Sequence, residues 1–257
     1  MIFSMQEDNS CFDVNDTQKS QSNDSICVVI TNYGFPDNAD KLKREFQKYF
    51  STILIDAESP RVPLLTDYSV KNSYYPGLWN AAVNYAVSHH YKWLMFIASD
   101  VEIHDVSLLC KMSSEIVDIE KIGIYTPSLS LSSRVSFPSI FNRQSGALRE
   151  CGLVEGYFFL SRVDLLRRIH PIHKMNTYGW GVDVVSCFLC YASNKIVVVD
   201  DRVEIYHPPR KKEHEINTQL AVAQQLNYMG EAVHRWFKEA LIIFSSGGRI
   251  IHVDTLK

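Results

Sequence analysis

No apolar run in this chain of 257 residues approaches the roughly 18 that a membrane-spanning helix needs. The longest, such as Trp93 to Ala98 and Leu241 to Phe244, are strand-sized or shorter, so no transmembrane segment is expected. Nor does charge of one sign dominate. The 26 Lys+Arg stand against 29 Asp+Glu, a formal net charge of −3, which argues against a nucleic-acid partner bound mainly by electrostatics. No secretory leader is visible: Met1 to Met5 is too short for an apolar core, and Gln6 to Ser25 is rich in Asp, Asn, Ser and Gln. Residues 1–25 therefore read as a flexible polar tail, and the compartment as cytoplasmic. The six cysteines (Cys11, Cys27, Cys110, Cys151, Cys187, Cys190) lack the regular spacing of a disulfide framework, and reduced thiols are the simplest reading. Cys187 and Cys190 form a C-x-x-C within the apolar run Val184 to Tyr191, with no second pair at ligand spacing. Core packing is preferred there over a zinc or redox pair.

What the chain does have is an alternation of buried-type strands and amphipathic helices. Ile26 to Thr31 (ICVVIT) is a continuous β-branched run, as in a strand buried on both faces. After a loop over Tyr33 to Asn38, Leu42, Phe46 and Tyr49 or Phe50 fall at helical spacing, which predicts a helix over 40–50. Ser51 to Asp56 is a second strand, and strand–helix–strand order marks a parallel βαβ unit. Further helices are expected over 78–88, 106–119, 163–168 and 184–192, and further strands over 91–98, 122–126, 154–161 and 195–199. Residues 128–149 are Ser-rich and irregular, a candidate mobile loop. Residues 213–244 read as long helical stretches broken near Gly230, and 249–253 as a late edge strand. Without an internal repeat or a convincing linker, one α/β domain over 26–257 is the economical reading.

Three carboxylates sit where an open parallel sheet binds its ligands, outside the carboxyl ends of strands: Asp56, Asp100 in Ser99-Asp100-Val101-Glu102, and Asp183 after a Gly-rich turn. Each could instead cap a following turn or helix. The functional reading is stronger for Asp100, because it follows a run that must be buried. Oxygen ligands of this kind suit Mg²⁺ or Mn²⁺, whose shell is commonly completed by diphosphate oxygens and water.

In order along the chain, ICVVITNY, ILIDAES, GLWNAAVNYA and FIASDVEI resemble the nucleotide-binding half of GT-A glycosyltransferases, most closely the family-2-like inverting group. The resemblance implies an α/β fold with a mixed, mostly parallel sheet flanked by helices. It places residues 26–105 in the nucleotide-binding half, 106–212 in the acceptor and catalytic half, and 213–257 in terminal helices and an edge strand. It matches Thr31, Asn32 and Tyr33 to the end of the first strand, Asp56 to the residue that reads the nucleotide base, and Asn80 to an Asn before the metal-binding strand. Ser99 joins the expected nucleotide-sugar contacts, and Asp100 takes the metal position. Further on, GYFFLSR (156–162) is similar to the acceptor-side strand. Tyr178-Gly179-Trp180-Gly181-Val182-Asp183 resembles the turn that carries the catalytic Asp, its Gly-Trp-Gly part being similar to the β-1,4-galactosyltransferase turn. VEIYH (203–207) is similar to a family strand that ends in a His, which implies His207 as a second metal ligand. Trp180 offers either a platform for a sugar face or a buried packing residue. Arg210, Lys211 and Lys212 read equally as a diphosphate clamp or a solvated loop.

Two departures stand out. Ala98 occupies a position that carries an acid in the family, and Val182-Asp183 stands where an acidic pair is usual, so Asp183 is the acid left for proton transfer. The implied protein is a Mn²⁺- or Mg²⁺-dependent inverting glycosyltransferase. Its donor is a nucleotide sugar, with uridine diphosphate the default base, and its acceptor a growing glycan or lipid-linked saccharide. A nucleotidyltransferase is disfavoured, because Tyr33 to Asp40 holds one Gly and no Lys or Arg. A non-catalytic scaffold remains the other alternative, with Ala98 and Val182 as its support. Tyr228, Arg235, Trp236, Phe237 and Lys238 leave a peripheral membrane contact open, although an amphipathic helix packed on the domain explains them as well.

Overall fold

A computed structural model describes residues 25–72, 74–209, 217–252 and 256. Residues 1–24 of the expected tail and the Arg210, Lys211 and Lys212 clamp lie outside the described residues. The fold is a mixed, mostly parallel sheet flanked by helices. Strand β1 (Ile26–Asn32) lies between β2 (Ser51–Asp56) and β4 (Trp93–Ala98), parallel to both. Every residue of β1 is buried, which is why its sequence is apolar without alternation. The short β3 (Tyr68–Ser69) extends that edge in parallel. On the other side β8 (Phe158–Arg162) runs antiparallel to β4 and to β6 (Ile122–Leu129). Beyond them β9 (Ile196–Tyr206) pairs parallel with β6, and β7 (Leu148–Glu150) and β10 (Arg249–Ile251) close that edge antiparallel. The short β5 (Glu102–Ile103) pairs with the end of β9.

Several expected boundaries shift for identifiable reasons. Helix α1 covers Pro36–Phe46 rather than 40–50. Pro36 opens its first turn, where a missing N–H costs nothing. Helix α2 begins at Tyr74, ahead of the expected 78, and ends at Ser88. Strand β8 starts at Phe158, because Val154 to Tyr157 forms the approach to the sheet rather than a strand. Strands β6 and β9 run past their expected ends at 126 and 199, to Leu129 and Tyr206. Their register slips between Pro127 and Ser128, which leaves Asp201, Arg202 and Val203 as extra residues on β9. Such a bulge admits polar side chains into an otherwise apolar strand. Helices α3 (Val106–Ile116), α4 (Val163–Leu166) and α5 (Val182–Ala192) fall close to expectation. Helix α6 (Thr218–Ile243) is interrupted at Gly230, at φ 67 and ψ 176, as the sequence anticipates.

Residues 128–149 are not an unattached loop. They contain the end of β6, a 3-10 turn over Pro138–Ile140 and the start of β7. Arg149 fastens them: its guanidinium donates in bidentate fashion to buried Asp201, and also to the carbonyls of Ser139 and Phe141. Cys27, Cys110, Cys151, Cys187 and Cys190 are all buried and free. Burial pushes the thiols of Cys110, Cys151 and Cys190 up to about 12, which makes them packing groups rather than nucleophiles.

Candidate functional site

A cavity of about 750 Å³ opens at the carboxyl ends of β1 and β4, where such sheets bind ligands. Its wall includes Thr31, Tyr33, Ser99, Asp100, Trp180, Asp183 and His207, drawn from segments far apart in the chain.

Behind this wall the strand ends are tied by Asn32. Its side-chain nitrogen donates to Asp56 Oδ1 at 2.7 Å and to Ser59 Oγ at 3.0 Å, while its oxygen accepts from Ser99 Oγ at 2.7 Å and Phe35 N at 3.0 Å. Asp56 is fully buried, and also accepts from the backbone and hydroxyl of Ser59. It thus belongs to the frame of the site and is not part of the cavity wall. Asn80 is placed similarly: its side-chain oxygen accepts from Ile172 N at 2.8 Å, away from the wall. The turn carrying Asp100 is held by Asn38, which donates to the carbonyls of Ser99 and Val101, both at 2.8 Å.

Asp100 and His207, 107 positions apart, meet on the cavity wall with Oδ2 to Nε2 at 2.8 Å. The other ring nitrogen of His207 lies 3.0 Å from the carbonyl of Arg134. A carbonyl only accepts, so Nδ1 carries a proton and Nε2 faces Asp100. Two acceptors cannot face each other at that distance without a proton or a cation between them. Burial draws the His207 pKa down, but the hydrogen bond and charge of Asp100 outweigh it and the pKa lies above the usual histidine value. These donors suit a hard or borderline divalent ion shared with a diphosphate. Among the described residues no cluster of three or more His, Cys, Asp or Glu could hold a metal alone, and Ala98 lines the wall beside Ser99 and Asp100.

Asp183 stands in the first turn of α5, behind Gly179 at φ 73 and Gly181 at φ 84. That left-handed backbone explains the two glycines around Trp180. Burial lifts the Asp183 carboxyl from 3.8 to about 7, against the lowering effect of the Val184 N–H, which it accepts at 2.8 Å. Glu155, itself buried, holds the backbone N–H groups of Ser136 and Phe137, both on the cavity wall. Burial raises its pKa despite those two hydrogen bonds. Tyr157 stacks on His207, with ring centroids 4.1 Å apart and planes 20° apart. Tyr75, Tyr157 and Glu155 escape sequence reasoning, because residues of these types inside or beside an apolar segment read as core or surface. Gly156 is the available signal, since side-chain-free backbone before a strand marks a close approach.

No family model matches the chain, and no curated protein matches it in sequence. Solved structures do match in shape. GalNAc-T7 with UDP, GalNAc and Mn²⁺ superposes with a TM-score of 0.60 at 14% identity, over 86% of this chain and 50% of its own. The mannosyltransferase PcManGT of Pyrobaculum calidifontis, in complex with GDP-Man and Mn²⁺, gives 0.54 at 12% identity, over 85% and 68%. S. aureus TarS 1-349 in complex with UDP-GlcNAc gives 0.53 at 16%, over 82% and 69%. The chain thus spans about half the length of GalNAc-T7. At these identities the likeness establishes the architecture, and the fold of this chain is GT-A.

Proposed function

We propose that the chain is an inverting glycosyltransferase that moves a sugar from a nucleotide donor, by preference a uridine diphosphate sugar, to a saccharide or lipid-linked saccharide. The observation that carries this reading is the placement of Asp183, with its pKa near 7, in the same cavity as the Asp100–His207 pair. The GT-A architecture supports it, as do the UDP held by GalNAc-T7 and the nucleotide sugars GDP-Man and UDP-GlcNAc held by PcManGT and TarS.

Asp100 and His207 would hold Mn²⁺ or Mg²⁺ together with the donor diphosphate, and the ion would neutralise charge that builds on the leaving group. Thr31, Tyr33 and Ser99 border the nucleotide end of the cavity, and Asp56 supports it from behind through Asn32. Trp180 presents an apolar face to a sugar. Asp183 acts as the base. As the acceptor oxygen forms its bond to C1, the hydroxyl proton passes to the Asp183 carboxylate, and the C1–O bond to the diphosphate breaks with its electron pair leaving on the diphosphate. A base with a pKa near the working pH combines availability with driving force.

Calorimetric titration with uridine diphosphate tests the donor site. Binding to the wild type is expected to require Mn²⁺ or Mg²⁺ and to be lost in Asp100→Ala. Equal binding with and without the metal removes the Asp100–His207 assignment. Absence of binding by uridine, guanosine and thymidine diphosphates alike would favour the scaffold reading, for which Ala98 and Val182 are the structural grounds.

The pH profile follows from Asp183. The base must be ionised, so turnover at saturating donor and acceptor is expected to rise about tenfold per pH unit below 7 and level off above it. A profile flat between pH 5 and pH 8 contradicts that role.

A further inference from the structure

Three tyrosine hydroxyls, those of Tyr75, Tyr157 and Tyr228, are shielded from solvent and have no hydrogen-bond partner among the described residues. Two of them, Tyr75 and Tyr157, belong to side chains that line the cavity. A buried hydroxyl left unpaired carries a desolvation penalty, and a phenylalanine would fill the same space without it. We propose that the hydroxyls of Tyr75 and Tyr157 hydrogen-bond the sugar being transferred and determine which sugar the cavity accepts. This inference rests on the glycosyltransferase reading and names the residues that select the donor sugar.

Their position supports the assignment. The Tyr157 ring stacks on His207, itself bonded to Asp100, and Asp183 lines the same cavity. A sugar joined to a diphosphate at the Asp100–His207 pair, with its C1 exposed to an acceptor activated by Asp183, must pass this ring. Tyr75 lies in the first turn of α2. It is held by close backbone approach: a Cβ on Gly156 would lie 2.7 Å from the Tyr75 hydroxyl oxygen, and one on Gly179 would lie 2.7 Å from the Tyr75 ring. Its ring also packs on Phe96, with centroids 5.5 Å apart. The hydroxyls are shielded in the empty cavity, so a sugar reaches them by a small turn of each ring, which exchanges an unpaired buried hydroxyl for a paired one. A site built to hydrogen-bond a substrate hydroxyl rejects analogues that lack it, because its own buried polar groups are then left unpaired.

Tyr75→Phe, Tyr157→Phe and Gly156→Ala separate this inference from the reading beneath it. Affinities are measured with Mn²⁺ for uridine diphosphate alone and for the glucose, galactose and N-acetylglucosamine esters, alongside melting temperature. In the wild type at least one sugar ester is expected to bind more tightly than the bare nucleotide. In both Phe variants that ester is expected to weaken roughly tenfold, the usual worth of one neutral hydrogen bond. Affinity for uridine diphosphate should stay within twofold of wild type, and the melting temperature should be unchanged or higher. Gly156→Ala, which drives a methyl against the Tyr75 hydroxyl, should weaken the same sugar ester, with a lower melting temperature expected from the crowding. Unchanged sugar-ester affinity in the Phe variants overturns the inference while leaving the glycosyltransferase reading intact. So does a fall in the melting temperature of either Phe variant, which would reveal an internal partner for the hydroxyl. Failure of the wild type to bind any nucleotide overturns both.

Discussion

Asp183→Asn is expected to lower turnover by roughly 10²- to 10⁴-fold, the span that a positioned base contributes, while melting at a higher temperature than wild type at pH 8. Asparagine fills the same volume and keeps an oxygen for the Val184 N–H, but it cannot take a proton from an acceptor hydroxyl. The stability gain has the same origin as the activity loss. Burial lifts this carboxyl from 3.8 to about 7, so between those values the folded chain holds a proton that the unfolded chain has released. Stability from this group is therefore complete below about pH 4 and is lost as pH rises through 7. The climb from 3.8 to about 7 bounds that loss at roughly 4 kcal/mol, and access from the cavity reduces it. The Asn variant escapes the loss, and for a chain of this size each kcal/mol moves the melting temperature by about 2–4 °C. Melting curves at pH 5 and pH 8 should show its advantage growing with pH. An advantage equal at the two pH values, or turnover close to wild type, removes Asp183 from the role of base.

The sheet centre is legible in the sequence because β1 and β4 are buried on both faces and must be written in uninterrupted apolar residues. Where the sheet meets polar groups, the same reasoning stops short. Strand β9 continues through Asp200, Asp201 and Arg202 because each charge has a partner that sequence alone does not reveal. Asp200 is bonded by Arg202 and by the Tyr125 hydroxyl, and Asp201 by Arg149. The cavity shows the same division. Carboxylates at strand ends and the Gly-Trp-Gly turn single out Asp100, Trp180 and Asp183 in the sequence, and all three line the cavity. Asp56 answers to the same pattern and Asn80 to the family resemblance, yet neither lines the cavity, and their side chains bond Asn32, Ser59 and the Ile172 backbone. Distinguishing a residue that touches a ligand from one that supports it requires the hydrogen-bond network. Tyr75 and Tyr157 are the converse case, ordinary core aromatics in sequence whose hydroxyls alone set them apart.

Arg149→Met is expected to destabilise the protein by about 3–5 kcal/mol, the usual result of removing one partner from a buried ion pair. Both partners are withdrawn from solvent, with side chains 3% and 0% exposed. The guanidinium meets both oxygens of Asp201 through Nε and Nη2, at 2.7 and 2.8 Å, while Nη1 donates to the carbonyl of Ser139 and Nη2 also to that of Phe141. Methionine fills the stem volume but leaves Asp201 charged, buried and held only by Ser145 and backbone groups. Burial pushes the Asp201 carboxyl up, yet the Arg149 and Ser145 hydrogen bonds prevail and hold it below the ordinary value. Stability from Asp201 is thus present above pH 4 and is lost as pH falls through its depressed pKa. The Met variant loses that stability across the neutral range. Urea unfolding should show the deficit at pH 7, and Arg149→Met combined with Asp201→Asn should recover much of it, because the stranded charge is gone. Lysine at 149 should not restore it, since a point charge cannot bond both carboxylate oxygens and two carbonyls in one plane. The effect reaches the cavity as well. Ser136 and Phe137 on its wall precede the turn that Arg149 fastens, so the Met variant should bind nucleotide sugar more weakly even at temperatures where it remains folded. A deficit below 1 kcal/mol, or no recovery in the double variant, would mean that the segment 138–149 is held by packing and not by this pair.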